Sequence, residues 1–246
     1  MNANIFMGSA VEITLLLIII IICGMAYSIL AKKLTVPAAC TGVVIAITIF
    51  MAAGLTGVAM MAAFFLMGSL ATSWKQERKN KFSDNHENKT GRKASQVLAN
   101  AGVSALAGLS ILVFPQLTNL FLLVMAAAFA SATADTLSSE LGILYGTKCI
   151  NVKTLKMDEC GRDGVISMEG SVIGFIGSCL IALVHAIGYG FQLGFFWIVL
   201  AGTFGNLTDS ILGAYFERRG LIGNDAVNFF STLSAGIIAL LLGALI

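Results

Sequence analysis

The chain has 246 residues, of which 57% are hydrophobic and only 11% charged. A soluble domain carries about 25% charged residues, so this composition excludes a water-facing globule, and it excludes disorder, collagen and coiled coil as well. A formal net charge of +2 excludes a nucleic-acid binder. What remains is an all-α, polytopic transmembrane helical bundle, a single integral membrane domain over 1–246 seated in the lipid bilayer.

The apolar runs are continuous rather than alternating, which reads as helices and not as barrel strands. In chain order they predict eight helices, at 10–31, 38–53, 56–72, 95–114, 120–141, 171–189, 195–217 and 228–246. The second and third are short and joined by Gly54-Leu55, so they either tilt or form a tight hairpin. Cys23, Cys40 and Cys179 fall in apolar runs and read as packing residues. Cys149 and Cys160 share a loop, with neither a second pair nor a zinc spacing, and give no framework.

The basic residues set the expected orientation. All fifteen Lys and Arg lie at alternate connections. Lys32 and Lys33 form one group, and Lys75, Arg78, Lys79, Lys81, Lys89, Arg92 and Lys93 a second. Lys148, Lys153, Lys156 and Arg162 form a third, Arg218 and Arg219 a fourth. The links 54–55, 115–119 and 190–194 carry no charge. The positive-inside rule then puts the basic connections in the cytoplasm and both termini outside. Residues 73–94 form a basic cytoplasmic loop, flexible or with a short surface helix, and 142–170 a glycine-containing cytoplasmic loop. Most of the charge in 73–94 is topogenic; attraction of an anionic nucleotide or headgroup is the sharper reading. His86 has no partner at catalytic spacing, and the Asn88-Lys89-Thr90 glycosylation triplet is discounted as cytoplasmic.

Acids inside a span are costly and usually functional. Asp135 and Asp209 lie one to two turns from the cytoplasmic ends of the fifth and seventh helices, in the similar contexts Asp135-Thr136-Leu137 and Asp209-Ser210-Ile211. Ser131, Asp135, Ser138 and Ser139 share one helical face, and Asn206 and Asp209 share another. Glu140 is about 140° around the helix from Asp135 and joins its site only if the helix ends near Gly142. The segment GRDGVISMEGSVIG (161–174) combines glycines with a helix start, a natural phosphate site or an ordinary cap by Ser167 or Ser171. The segment 217–228 adds Arg218, Arg219, Asn224 and Asp225, or is simply a turn capped by Asp225. Carboxylates hold Mg²⁺ together with phosphate oxygens, and Arg and Lys neutralise phosphate. Together these groups equip the cytoplasmic face for phosphoryl or nucleotidyl transfer to a lipid-dissolved acceptor.

The blocks GSLATSWKQERK (68–79), SQVLANAG (95–102), ATADTLSSELG (132–142), GRDGVISMEGSVIG (161–174) and GNLTDSILGAYFERRGLIGNDAVNFFSTLSAG (205–236) carry a family signature. They resemble the integral membrane family that includes the phytyl-phosphate kinase of tocopherol synthesis. The resemblance implies phosphoryl transfer from a nucleoside triphosphate to an isoprenoid monophosphate such as phytyl, geranylgeranyl or farnesyl phosphate, giving the diphosphate. Asp135-Thr136, Gly142, Gly146, Lys148 and Ser167-x-Glu169-Gly170 are also similar to polyprenol kinases and phosphatidate cytidylyltransferases, which favours CTP. By that likeness Asp135, Asn206 and Asp209 are metal ligands, with Asp135, Asp209 and Glu140 as catalytic candidates. Ser131, Lys148, Gly164, Ser167, Glu169, Gly170, Ser171, Arg218, Arg219, Asn224 and Asp225 are then the nucleotide- or phosphate-binding candidates. Asn206 stands where the cytidylyltransferases carry an acid, and the basic residues usually preceding the serine are absent, with Arg162 the nearest substitute. A prenol kinase, a lipid cytidylyltransferase and an ion-coupled transporter are the alternatives. The oligomeric state, a homo-oligomer included, stays open.

Overall fold

The computed structural model describes residues 3–79 and 91–245. Lys81, His86, the Asn88–Thr90 triplet and the rest of 80–90 lie outside the described residues, as does the side chain of Glu12. Eight α-helices follow in order: α1 (Ala3–Leu30), α2 (Val36–Ser73), α3 (Gln76–Lys79), α4 (Ala94–Val113), α5 (Thr118–Tyr145), α6 (Met168–Tyr189), α7 (Leu193–Tyr215) and α8 (Asn224–Gly243). Among the described residues, six of them are long and apolar enough to cross a membrane. Between α5 and α6 lies one antiparallel pair of short strands, β1 (Cys149–Asn151) and β2 (Val165–Ser167), with Cys149 opposite Ser167.

Helix α2 is two arms folded at Gly54, whose φ of 59° and ψ of −152° are non-helical. A Cβ on Gly57 would stand 2.7 Å from Ile49 Cγ2. Eight residues along a straight helix span about 12 Å, so the arms 36–53 and 55–73 run back to back as a hairpin. Thr35 starts the first arm, its hydroxyl accepting from Ala38 N–H, with Pro37 in the first turn. At the folded end Tyr189 O–H donates to Ala53 carbonyl at 2.7 Å. At the open end Lys33 donates to Ser73 Oγ. Two of the expected spans are therefore one hairpin.

Helix α5 is the axis. It touches α2, α4, α6, α7 and α8, and every residue from Leu122 to Ala134 is buried. Its MAAAFASATA stretch presents small side chains on all sides, which lets neighbouring backbones approach closely. A Cβ on Gly202 of α7 would lie 2.6 Å from Ala130 Cβ, and one on Gly174 of α6 would lie 2.9 Å from Ala134 carbonyl. The Gly170/Gly174 pair is thus chiefly a packing device. Helix α5 also runs on to Tyr145 instead of ending at Gly142, because Gly142 packs on Gly170 while remaining helical.

The four basic connections gather at one end of this bundle. Backbone bonds from Arg92 N–H to Lys33 carbonyl (2.9 Å) and from Thr35 N–H to Arg92 carbonyl (3.1 Å) tie the first two together. Lys75 Nζ donates to Tyr145 O–H at 3.3 Å, and Arg218 pairs with Asp158 at 2.6 Å. The loop cysteines, expected to form no framework, are joined as a Cys149–Cys160 disulfide. The chain between them turns back so that Asp158 N–H donates to Cys149 carbonyl at 3.0 Å, which brings the two thiols together. Gly164, at a φ of +70°, seats this loop on α7, where a Cβ would stand 2.3 Å from Ala214.

This packing predicts that Gly202→Val, which forces methyls into Ala130, lowers stability by about 1–3 kcal/mol, read as a fall in unfolding temperature in detergent.

Candidate active site at the basic end of the bundle

Two cavities flank α5 at the basic end. The first, about 390 Å³, lies between α5, α6, α7 and the 142–170 loop. The second, about 420 Å³, lies between α5, the open end of the α2 hairpin, the start of α4 and the start of α8. Asp135, Ser139 and Asn224 line both. Asp135 therefore stands in the wall that the two share.

Asp209 enters the first cavity from α7, and its carboxyl meets that of Asp135 within hydrogen-bonding reach. The similar contexts of the two acids have a structural counterpart, because α5 and α7 run in parallel and bring them face to face. Two carboxyls in contact repel unless a proton or a cation stands between them. Asp209 Oδ1 is buried and has no hydrogen-bond partner among the described residues. A buried oxygen of that kind, next to a second carboxyl, fits an oxygen-ligated cation. Among the described residues no three His, Cys, Asp or Glu side chains converge as a metal site, so protein carboxylates alone do not complete a shell. Asn206 bridges the helices: its Oδ1 accepts from Ser138 Oγ at 3.0 Å, and its amide nitrogen fits against Gly174. One lone pair of that oxygen stays open.

The glycine-rich segment forms the floor of the first cavity. Gly164, Ser167, Gly170 and Ser171 all line it, with Arg162 at its mouth. Ser167 caps α6, its hydroxyl accepting from Gly170 N–H at 3.1 Å, and Ser171 Oγ donates to Ser167 carbonyl at 2.9 Å. The capping reading thus holds and coexists with a place in the cavity. Arg162 pairs with Glu159 one turn away and stays exposed.

Other candidates stand elsewhere. Ser131 is fully buried against Gly205, a turn deeper than Asp135, and lines neither cavity. Lys148 and Arg219 point to solvent. Glu169 accepts from Thr147 O–H at 2.5 Å, outside both cavities. Arg218 holds Asp158 and so fastens the loop, not a ligand. Asp225 lies in the first turn of α8, whose cap is Gly223, so it favours the helix dipole without capping it. Glu140 was expected near Asp135 only if α5 unwound. Helix α5 stays wound, and Glu140 nevertheless shares the second cavity with Asp135, while Lys79, which does not line that cavity, pairs with it at 2.6 Å.

Sequence reasoning missed Lys79 and Arg92, of which Arg92 lines the second cavity. Lys79 is only 6% exposed, and it also donates to Ala71 and Thr72 carbonyls at 2.8 and 2.7 Å. It counted as one of many topogenic charges, and only its position one turn past α2 distinguishes it. Arg92 was counted likewise, yet its guanidinium lies over Gly68, where a Cβ would come within 3.2 Å. Burial lowers the Arg92 pKa, and the Glu140 charge opposes that shift. Asp163 and Glu217 were also missed, and both line the first cavity. Burial pushes the Asp163 carboxyl up, against the pull of Arg218.

Residues 17–236 match the family described as Integral membrane protein DUF92. The chain belongs to that family. It is 38% identical over 189 residues to an uncharacterized membrane protein of Methanocaldococcus jannaschii, covering 74% of each chain. It is 29% identical over 203 residues to an uncharacterized membrane protein of Synechocystis, covering 80% of this chain and 78% of that one. It is 30% identical over 196 residues to the chloroplast protein VTE6 of Arabidopsis thaliana, covering 77% of this chain and 59% of the plant protein. No solved structure matches. The matched span takes in both cavities.

The loop anchor gives a pH prediction. The Arg218 hydrogen bond, aided by Asn151, holds the Asp158 carboxyl well below the usual carboxylate range. A depressed pKa adds stability that is complete above the unfolded value of about 3.9 and is lost as pH falls through the folded one. The Asp158–Arg218 anchor itself should therefore persist from neutral pH down to about pH 4. Arg218→Gln should instead speed tryptic cleavage after Lys153 or Lys156 at neutral pH.

Proposed function

We propose that this protein is a membrane prenyl-phosphate kinase, transferring the terminal phosphoryl group of a nucleoside triphosphate, with CTP favoured, to an isoprenoid monophosphate. The observation that carries the reading is the facing pair Asp135 and Asp209 in the first cavity, with Asp135 in the wall it shares with a second polar cavity at the basic end. Acids buried in a bundle cost several kcal/mol and so mark functional sites. Membership of the family, and the likeness to the chloroplast protein, support the kinase reading that the sequence blocks imply.

The reaction is an in-line exchange. An oxygen of the acceptor monophosphate attacks the terminal phosphorus; its P–O bond forms as the bond to the nucleoside diphosphate breaks, and the diphosphate leaves with the electron pair. The acceptor is already an anion, so positioning and charge neutralisation outweigh base catalysis. This favours the phosphate over a prenol acceptor, because of the two candidate bases Glu140 is already held by Lys79 and Asp135 would be engaged by the cation. Mg²⁺, held by Asp135, Asp209 and the open lone pair of Asn206, would offset the charge on the phosphates. Ser167, Gly170 and Ser171 would receive a phosphate at the start of α6. By the positive-inside rule the basic end faces the cytoplasm, where the nucleotide is found.

Detergent-purified protein, offered CTP, ATP, GTP and UTP with phytyl, geranylgeranyl and farnesyl monophosphates, should yield a prenyl diphosphate by mass spectrometry. Asp135→Asn and Asp209→Asn should each cut that yield about 100-fold or more while leaving membrane insertion intact. Full activity in both would end the site assignment, and a CMP adduct would move the protein to nucleotidyl transfer.

A further inference from the structure

The two cavities differ in charge and in wall chemistry. The second holds Lys32, Lys33 and Arg92 against Asp135 and Glu140, and Glu140 is already neutralised by Lys79. Its remaining walls are mostly hydroxyls and carboxamides, Asn100 and Asn228 among them. The first holds four acids, Asp135, Asp163, Asp209 and Glu217, against the single Arg162. It also runs along α7 from Gly213 to Leu200, about 20 Å at 1.5 Å per residue. Leu200, Phe204 and Leu207 stand on that wall and are exposed on the outer surface of the bundle.

Topogenic lysines need only lie in the right loop, but the backbone that carries these cations is fixed in place. The backbone bonds between Arg92 and the Lys33–Thr35 segment clamp them side by side. The clamp needs Gly91, at a φ of +82°, where a Cβ would stand 2.8 Å from Lys32 carbonyl. Among the described residues the Arg92 guanidinium makes one side-chain hydrogen bond, a 3.5 Å contact to Thr72 Oγ1, and Lys33 donates to Ser73. Among the described residues most donors of these three cations are unspent; like charges so placed repel one another, and a polyanion between them relieves that repulsion.

We propose, building on the kinase reading, that the nucleoside triphosphate occupies the basic cavity with Lys33 and Arg92 on its phosphates, while the isoprenoid phosphate occupies the glycine-floored cavity with its tail along Leu200, Phe204 and Leu207. Donor and acceptor then meet from opposite sides of Asp135. The carboxamides of Asn100 and Asn228 offer hydrogen bonds to ribose or base, and the apolar wall of α7 takes a chain that enters sideways from the lipid.

The test is equilibrium binding of radiolabelled CTP and ATP to the purified full-length protein, alongside KM values for both substrates. Arg92→Gln and Lys33→Gln should each weaken nucleotide binding about tenfold and leave the KM for prenyl phosphate unchanged. Arg92→Lys should recover part of the loss. Phe204→Asn and Leu207→Asn should raise the acceptor KM and leave nucleotide binding unchanged. If the wild-type chain makes prenyl diphosphate but neither cation variant alters nucleotide affinity, the assignment of cavities is wrong and the kinase reading stands. If the wild-type chain binds nucleotide, and loses it in both cation variants, but makes no prenyl diphosphate, the nucleotide site stands and the kinase reading falls. If it binds no nucleotide, both fall.

Discussion

The architecture depends on one helix whose middle is buried on every face. Helix α5 is enclosed by five other helices, and thirteen consecutive residues of it are buried. Enclosure of that kind requires small side chains on every face, because a helix with a Leu or Phe stripe keeps its neighbours about 10 Å away. The alanines of α5, and the glycines of α6 and α7 that meet them, remove that spacing. The consequence is electrostatic as well as steric. An acid near the basic end of α5 faces protein-walled polar cavities, so Asp135 can remain in the bundle without facing lipid directly.

The same enclosure makes Asp135 a shared wall. A helix in the middle of a bundle has two open sides at its end, and here each side is a cavity. One is walled by a hairpin arm and by the amides that start α4 and α8; the other is walled by the glycine-rich start of α6 and by α7. Their opposite charge balance follows from which connections reach them. The clamped Lys33 and Arg92 belong to the links before α2 and α4, while the four acids belong to α5, α7, the turn after α7 and the 142–170 loop. A reaction that joins an anionic, water-soluble donor to an anionic, lipid-dissolved acceptor needs separate approaches converging on one point, and this arrangement supplies two.

The loop over the first cavity is fastened from several directions. The Cys149–Cys160 disulfide closes its base, the Asp158–Arg218 pair fixes it to the end of α7, and Gly164 seats it on Ala214. None of these contacts touches the facing carboxyls. They hold the floor of the cavity, including the start of α6, at a set distance from them. Arginines that read as phosphate ligands in the sequence thus divide into those that hold protein and those that face open space.

The composition and the apolar runs were enough to establish an all-α membrane protein, because lipid requires continuous apolar helices and leaves little freedom; whether the two short helices at Gly54 tilt or fold into a hairpin was decided by packing. The acids Asp135 and Asp209 were legible for the same reason: a charge inside an apolar run stands out in one dimension. Gly164, Ser167, Gly170 and Asn224 were legible through their local pattern. The partner of each charge was not. Lys79 with Glu140, Arg218 with Asp158, and Lys33 beside Arg92 join residues that lie between 59 and 61 positions apart, and charges in basic loops look alike until packing turns some inward. Ser131 shares the helical face of Asp135, yet Gly205 of α7 covers it. Periodicity assigns a residue to a face of its own helix, but what stands opposite that face depends on how the other helices pack around it.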